Sequence, residues 1–233
     1  MSPSDHNLVS KARLLAKRML FASVPHSRLV RSGDPNRSEF ALTFDDGPDP
    51  ATTPALLATL RRHQVRATFF LVGNRAEQYP ELLRRIIADG HEVGSHSYSH
   101  PYFNRLSAFE AIREIAVSQS VLENLTGQAC PLFRPPFGKL SLQSLLPAWL
   151  HKQRVIMWTV DLKDYLAKDP TEIESRVRDH RFVNGDIILY HGMNQASLAA
   201  LSSVIEAAAA GGRKGVPVSY LMRPAGFVPC SSQ

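Results

Sequence analysis

From residue 39 onward the chain alternates short β-rich runs with longer segments of helical period, and a group of polar residues follows nearly every apolar run. Parallel strands cannot be joined by a tight turn and need a crossover, so β and helical segments in succession specify a parallel sheet covered by helices. Strands are predicted at residues 39–44, 67–72, 91–95, 132–133, 155–160, 186–190 and 216–220. Helices fill the gaps at residues 52–63, with Pro54 near the start, and at 75–89, ending at Gly90. A long helix is opened by the capping box Ser107-Ala108-Phe109-Glu110 and stops near Gly127; others follow at 141–151, 170–181 and 197–210. The expected class is α/β, a (β/α) barrel, closed or incomplete, of about seven parallel strands. An open doubly wound sheet is the alternative, but neither Gly-x-Gly-x-x-Gly nor a Walker loop follows the first strand.

Composition narrows the reading further. With 233 residues, 44% hydrophobic and 21% charged, the chain is too apolar for a disordered protein and suits one domain. No apolar window approaches the ~18 residues of a membrane span. The formal net charge of +6 is concentrated in residues 1–38, where Lys11, Arg13, Lys17, Arg18, Arg28, Arg31 and Arg37 face only Asp5 and Asp34. The body is nearly neutral, so the basicity is neither a nucleic-acid footprint nor a sign of an anionic substrate. Two parts are expected: a basic N-terminal arm or helix over 1–38 and a catalytic domain over 39–233. In the arm, Leu8, Val9, Ala12, Leu15, Ala16, Met19 and Leu20 follow a helical repeat. A helix packed on the body accounts for it; peripheral contact with a membrane surface is the alternative. The apolar run at Met19-Leu20-Phe21-Ala22 is too short for an export signal and no small-residue cleavage site follows, so a cytoplasmic protein is expected. Cys130 and Cys230 are too few and too far apart for a disulfide framework, which fits a reducing compartment.

Chemistry in parallel α/β folds gathers where strands end. Asp45 and Asp46 stand together at the end of the first strand, and adjacent carboxylates repel unless a cation or a proton intervenes. His96 and His100 are four apart, a spacing that on one helical turn points both imidazoles the same way. Two histidines and one carboxylate would leave coordination positions open on a metal. Capping carboxylates and surface histidines explain either pair alone, but less readily both at successive strand ends. A rival three-histidine site adds His91 and omits Asp46, although His91 opens its strand and so lies at the far end. Arg134 precedes two prolines and a glycine, a rigid turn that presents backbone amides at fixed positions. Asp164 is read either as the orienter of a general acid or as a helix cap, and His191 either as an acid or as a core histidine.

Together these clusters resemble, in kind and order, the five motifs of the polysaccharide deacetylases, carbohydrate esterase family 4. The motifs are Thr43-Phe44-Asp45-Asp46-Gly47, His96-Ser97-Tyr98-Ser99-His100, Arg134-Pro135-Pro136-Phe137-Gly138, Asp161-Leu162-Lys163-Asp164 and Leu189-Tyr190-His191. The resemblance implies a distorted, incomplete (β/α) barrel and metal-dependent removal of acetyl groups from N-acetylated sugars or glycans. Carried over, Asp46, His96 and His100 match the ligands of one divalent ion, often zinc, with cobalt, manganese or nickel as alternatives. Asp45 matches the catalytic base, Arg134 its partner, His191 the general acid and Asp164 the carboxylate that holds it. Leu189 matches the wall of the acetyl-methyl pocket, Phe137 the residue whose backbone amide meets the oxyanion, and Tyr165 the groove wall. Two departures are plain: Tyr165 stands where tryptophan is usual, and Tyr190 occupies the middle of the fifth motif. Absence of an export signal favours a small or lipid-linked sugar, as for the nodulation-type chitooligosaccharide deacetylases. Rivals are hydrolysis of a non-glycan C–N bond or an O-acetyl ester, and a glycan-binding module without turnover. A metal-dependent phosphatase lacks a second metal site and a phosphate-cradling loop.

Overall fold

The computed structural model describes Phe21 and residues 23–223 of the chain. Its strands are β1 (Leu29–Val30), β2 (Glu39–Asp45), β3 (Thr68–Leu71), β4 (Glu92–Ser95), β5 (Leu132–Phe133), β6 (Arg154–Ile156), β7 (Val160–Asp161), β8 (Ile187–Tyr190) and β9 (Lys214–Gly215). The helices are α1 (Thr53–Arg62), α2 (Gly73–Gln78), α3 (Pro80–Ala88), α4 (Ala108–Thr126), α5 (Leu142–Leu150), α6 (Pro170–Asp179), α7 (Gln195–Ala209) and α8 (Val218–Leu221). Strand order is β1-β6-β5-β4-β3-β2-β8-β7, with β9 beside β2. Every ladder is parallel.

Chain connectivity forces this sheet to curl. β6 and β7 lie near opposite ends of the order, yet only Met157, Trp158 and Thr159 join them. That link reaches ~14 Å at most, whereas the strands between would separate β6 from β7 by ~29 Å in a flat sheet. The two edges must therefore approach each other. No ladder joins β7 to β1 or β6 among the described residues, so the barrel is incomplete, as the motifs imply.

Alternation along the strands divides core from site. Phe40, Leu42 and Phe44 of β2 pack outward with Leu56, Leu57 and Leu60 of α1 and Leu201, Val204 and Ile205 of α7. Ala41 faces the other way, clustered with Phe70, Leu132, Ile156 and Ile187. Two residues further along that inner face comes Thr43, and then Asp45 at the strand end. Parallel direction brings the C-terminal ends of β2, β4, β5 and β8 to one rim of the barrel, which gathers the polar clusters there.

Four local expectations are corrected. The strand read at 155–160 is two strands split by the seam. Tyr79 breaks the helix read at 75–89, because a residue before proline is driven out of helical conformation; it has φ −129° and ψ 58°, and Pro80 then starts α3. The strand read at 216–220 ends early: Val216 N–H makes the last ladder bond, to Phe40 O, and Pro217 has no N–H to continue it. Val218 N–H instead reaches the Thr68 hydroxyl and opens α8. The basic segment is also more than an arm, since β1 pairs with β6 and buries Leu29 and Val30. The helix expected over residues 8–20 lies outside the described residues, as does Cys230. Cys130 is a buried free thiol, pushed up to about 12 by burial. The capping box at Ser107 and the left-handed Gly127 bound α4 as expected. No helix among the described residues is long and apolar enough to cross a membrane.

Candidate active site

Asp45 sits at the end of β2 on its inner face and is buried. Arg134, fully buried after β5, donates from Nη1 to Asp45 Oδ1 at 2.7 Å and to Thr43 Oγ1 at 2.7 Å. Its Nε and Nη2 donate to the carbonyls of Ile156 and Met157, and its guanidinium lies 4.2 Å from the Phe70 ring centroid. A buried charge with its donors occupied is held in one pose. It therefore fixes Asp45, whose other oxygen lies 3.7 Å from His96 Nε2.

Asp46 turns out of the strand with φ 71°, a left-handed conformation that Arg75 supports by donating to the Asp46 carbonyl at 3.0 Å. Its Oδ1 lies 3.4 Å from His96 Nε2 and 3.1 Å from His100 Nε2. Burial alone would raise the Asp46 pKa, but the hydrogen bonds and charges of His100 and His96 hold this carboxyl well below the usual carboxylate range. His96 Nδ1 meets the Arg134 carbonyl at 2.7 Å. Only a ring N–H can satisfy that acceptor, so Nε2 is the nitrogen turned toward Asp46. The two histidines do not share a helical turn. They converge through a loop in which Ser97 has φ 68° and His100 has φ 60°. Glu114 of α4 secures the loop by accepting from the Tyr98 and Ser99 N–H groups and the Ser99 hydroxyl. Donor atoms of Asp46, His96 and His100 lie within 4.8 Å of one another, and two imidazole nitrogens with one carboxylate oxygen suit a divalent metal. His91 stays apart at the other end of β4, where its Nδ1 accepts from Ala67 N–H and burial pulls its pKa down to about 4. The three-histidine arrangement is therefore not formed.

On the opposite wall, Asp164 is fully buried. It accepts from His191 Nδ1 at 2.9 Å, His191 N–H at 3.0 Å and Gly192 N–H at 2.8 Å. Nε2 of His191 is thereby left to face the cavity. Burial on its own would lower the His191 pKa, but the Asp164 hydrogen bond and the charges of Asp45, Asp164 and Asp46 push it up to about 9. Tyr165, half exposed, sets its ring edge-on to His191 with centroids 4.9 Å apart. Leu189 faces the cavity, whereas Tyr190, its neighbour on the strand, points into the outer core. The Tyr190 hydroxyl donates to Ser197 O at 2.6 Å. Its departure from the motif thus falls on the face away from the site.

Asp45, Asp46, His96, His100, Phe137, Tyr165, Leu189 and His191 line one cavity of about 340 Å³, with Arg134 and Asp164 buried behind its walls. Phe137 has φ 57°, is half exposed, and has no backbone acceptor for its N–H among the described residues. Three further wall residues went unassigned from sequence: Gly138, Trp158 and Asp161. Gly138 has φ +62°, and a Cβ there would come within 2.2 Å of the Trp158 ring. Trp158 lies in the seam, inside what reads locally as an unbroken strand. Asp161 could have been found as the first acid of the fourth motif.

Comparison with known proteins identifies the family and the fold. The family model described as polysaccharide deacetylase matches residues 32–152. The peptidoglycan-N-acetylmuramic acid deacetylase PdaC of Bacillus subtilis is 39% identical over 201 residues, 85% of this chain but 41% of that protein. The chitooligosaccharide deacetylase of Azorhizobium caulinodans is 34% identical over 67% of this chain and 75% of its own length. Among solved structures, the Bc1960 peptidoglycan N-acetylglucosamine deacetylase superposes with a TM-score of 0.78 at 34% identity, covering 84% of this chain and 92% of that one. With its five motifs gathered at one rim of an incomplete parallel barrel, the chain belongs to the polysaccharide deacetylase family.

Proposed function

We propose that the chain is a metal-dependent hydrolase that removes acetyl groups from N-acetylated sugar units of a glycan and releases acetate. One observation carries the reading: the Asp45–Arg134 pair, the Asp46/His96/His100 donors and the Asp164–His191 pair surround the same cavity. Asp46, His96 and His100 would hold the ion, and zinc is proposed because open zinc sites use such donors. Once bound, the ion polarises the acetyl carbonyl and acidifies a water.

The remaining work falls to the chain's own side chains. Arg134 aims Asp45, so Asp45 accepts the proton of the attacking water. The Phe137 N–H, free of a backbone partner, is placed to meet negative charge as it grows on the carbonyl oxygen, a contribution typically worth ~10²–10³ in rate. An amine leaves poorly unless protonated, and His191, held as an imidazolium by Asp164, supplies that proton from Nε2. Leu189 offers an apolar wall to the acetyl methyl group.

The test is acetate release by purified protein stripped of metal and resupplied with zinc, cobalt, manganese or nickel. N-acetylchitooligosaccharides and peptidoglycan fragments are the substrates, following the relatives' names. Release restored by metal is the expected result. No release with any metal, while one ion still binds per chain, would overturn the reading. The basic N-terminal segment carries a separate proposal, contact with an anionic membrane surface, tested by cosedimentation with vesicles of mixed anionic and neutral lipid.

A further inference from the structure

Outside the catalytic cavity an aromatic path runs outward from the metal donors. The His100 ring meets the edge of Phe137 at 4.5 Å between centroids, and Phe137 stacks on Tyr102 at 3.9 Å and 7°. Beyond Phe137 stand two cations on the Tyr102 ring, Lys139 Nζ at 4.6 Å and the Arg105 guanidinium at 4.8 Å from its centroid. Phe137 covers one face of Tyr102, so both cations lie over the other face or its rim. Both side chains are exposed, and neither forms an ion pair with a carboxylate among the described residues. Cation–π contact holds them in place without neutralising them.

The stack from His100 through Phe137 to Tyr102 places Arg105 and Lys139 just outside the cavity, where two positive charges without a carboxylate partner among the described residues attract an acidic substituent. The near neutrality of the body as a whole hides this local pair of charges.

We propose that Tyr102, Arg105 and Lys139 form a subsite for an anionic substituent, carboxylate or phosphate, on the sugar next to the one that loses its acetyl group. The proposal rests on the deacetylase reading and deepens it. A charge-assisted contact of this kind predicts a preference of about tenfold or more for the anionic substrate, expressed in KM rather than kcat and weakened by salt.

The experiment compares kcat and KM for three sets of N-acetylated oligosaccharides: one bearing lactyl carboxylates, the same with those groups as methyl esters, and one with a terminal phosphate. Wild type is measured beside Lys139→Gln, Lys139→Arg and the double variant Arg105→Gln/Lys139→Gln. Expected is a preference for an acidic set that shrinks toward unity in the double variant and survives in Lys139→Arg. Which acidic set wins identifies the group. Equal efficiency on acidic and esterified substrates, at low salt, would overturn the subsite while leaving the deacetylase reading intact. Calorimetric binding of the same sugars supplies a readout without turnover. If no substrate is cleaved, the deacetylase reading fails, and the ratio of acidic to neutral binding, with its loss in the double variant, still decides the subsite.

Discussion

Replacing Asp164 with asparagine tests the proposed acid, His191, apart from the other residues of the site. The aspartate is buried and accepts three N–H groups, and against the opposing effect of burial its hydrogen bond leads the influences that raise His191 from 6.5 to about 9, with the charges of Asp45, Asp164 and Asp46 adding to it. In Asp164→Asn the amide oxygen can still serve the two backbone N–H groups, but its NH₂ then faces His191 Nδ1 and favours a neutral ring. The His191 pKa should fall, and a full return to about 6.5 sets the limit: the protonated fraction is then cut about 30-fold near pH 8 and less than about twofold near pH 6. The expected kcat loss on an N-acetyl substrate is therefore steeply pH-dependent, with the basic limb moved toward acid. A bound cation cancels part of the Asp46 charge, so the wild-type limb comes at or somewhat below about 9. The same shift acts on folding in the metal-free protein. A group whose pKa is raised on folding stabilises fully below its unfolded value and loses that contribution as pH climbs through the folded one. The difference between about 6.5 and 9 corresponds to ~3 kcal/mol, a loss that should be smaller in Asp164→Asn. The assays are carbon-13 NMR titration of His191, kcat against pH, and denaturant unfolding at several pH values. An unchanged His191 titration in the variant, or an unmoved kcat limb, would refute the reasoning.

Asp46→Ala should lose metal content and acetate release together, whereas Asp45→Asn should keep the metal and lose ~10²-fold or more in kcat; an active Asp45→Asn enzyme would remove Asp45 as the base. Gly138→Ala places a Cβ against Trp158 at 2.2 Å in a left-handed conformation, so a lowered denaturation midpoint worth ~2 kcal/mol and a raised KM are expected. Tyr190→Phe should cost ~1 kcal/mol in unfolding through its lost bond to Ser197 O. Its kcat and substrate choice should match wild type; a shift in either would mean that this position reaches the groove.

Legibility in the sequence followed the range of the forces involved. Asp45, His100 and His191 could be read because strand alternation and strand direction are local, and together they determine which polar residues reach one rim. Strand direction also separates His91 from His96 and His100, where spacing alone leaves both ligand sets open. The seam was not readable. Val155-Ile156-Met157-Trp158-Thr159-Val160 is continuously β-prone, and only closure of the sheet, a tertiary demand, splits it and aims Trp158 into the cavity. Glu114 was equally hidden, since a carboxylate on a helix face gives no local sign that it will hold a histidine loop. The break at Tyr79 was different in kind: Tyr79-Pro80 carries the signal, outweighed in the reading by the helical period on either side.

Arg134 explains why fold and chemistry are inseparable here. A buried guanidinium is costly unless each face is answered, and the answers come from three strands: Thr43 and Asp45 of β2, Phe70 of β3, and the carbonyls of Ile156 and Met157 where β6 meets the seam. The group that fixes Asp45, the proposed base, thus also clips the curled sheet near its open side. Loss of Arg134 would leave Asp45 buried without its cation and release the carbonyls at the seam, so a dead Arg134→Ala protein says nothing about catalysis by itself. Asp45→Asn keeps an oxygen acceptor for Arg134 but leaves that buried cation without its counter-charge. It therefore distinguishes a base from a structural anion only when its unfolding midpoint and metal content are measured beside kcat: a folded, metal-binding, inactive variant assigns the base, and an unfolded one assigns the structural anion.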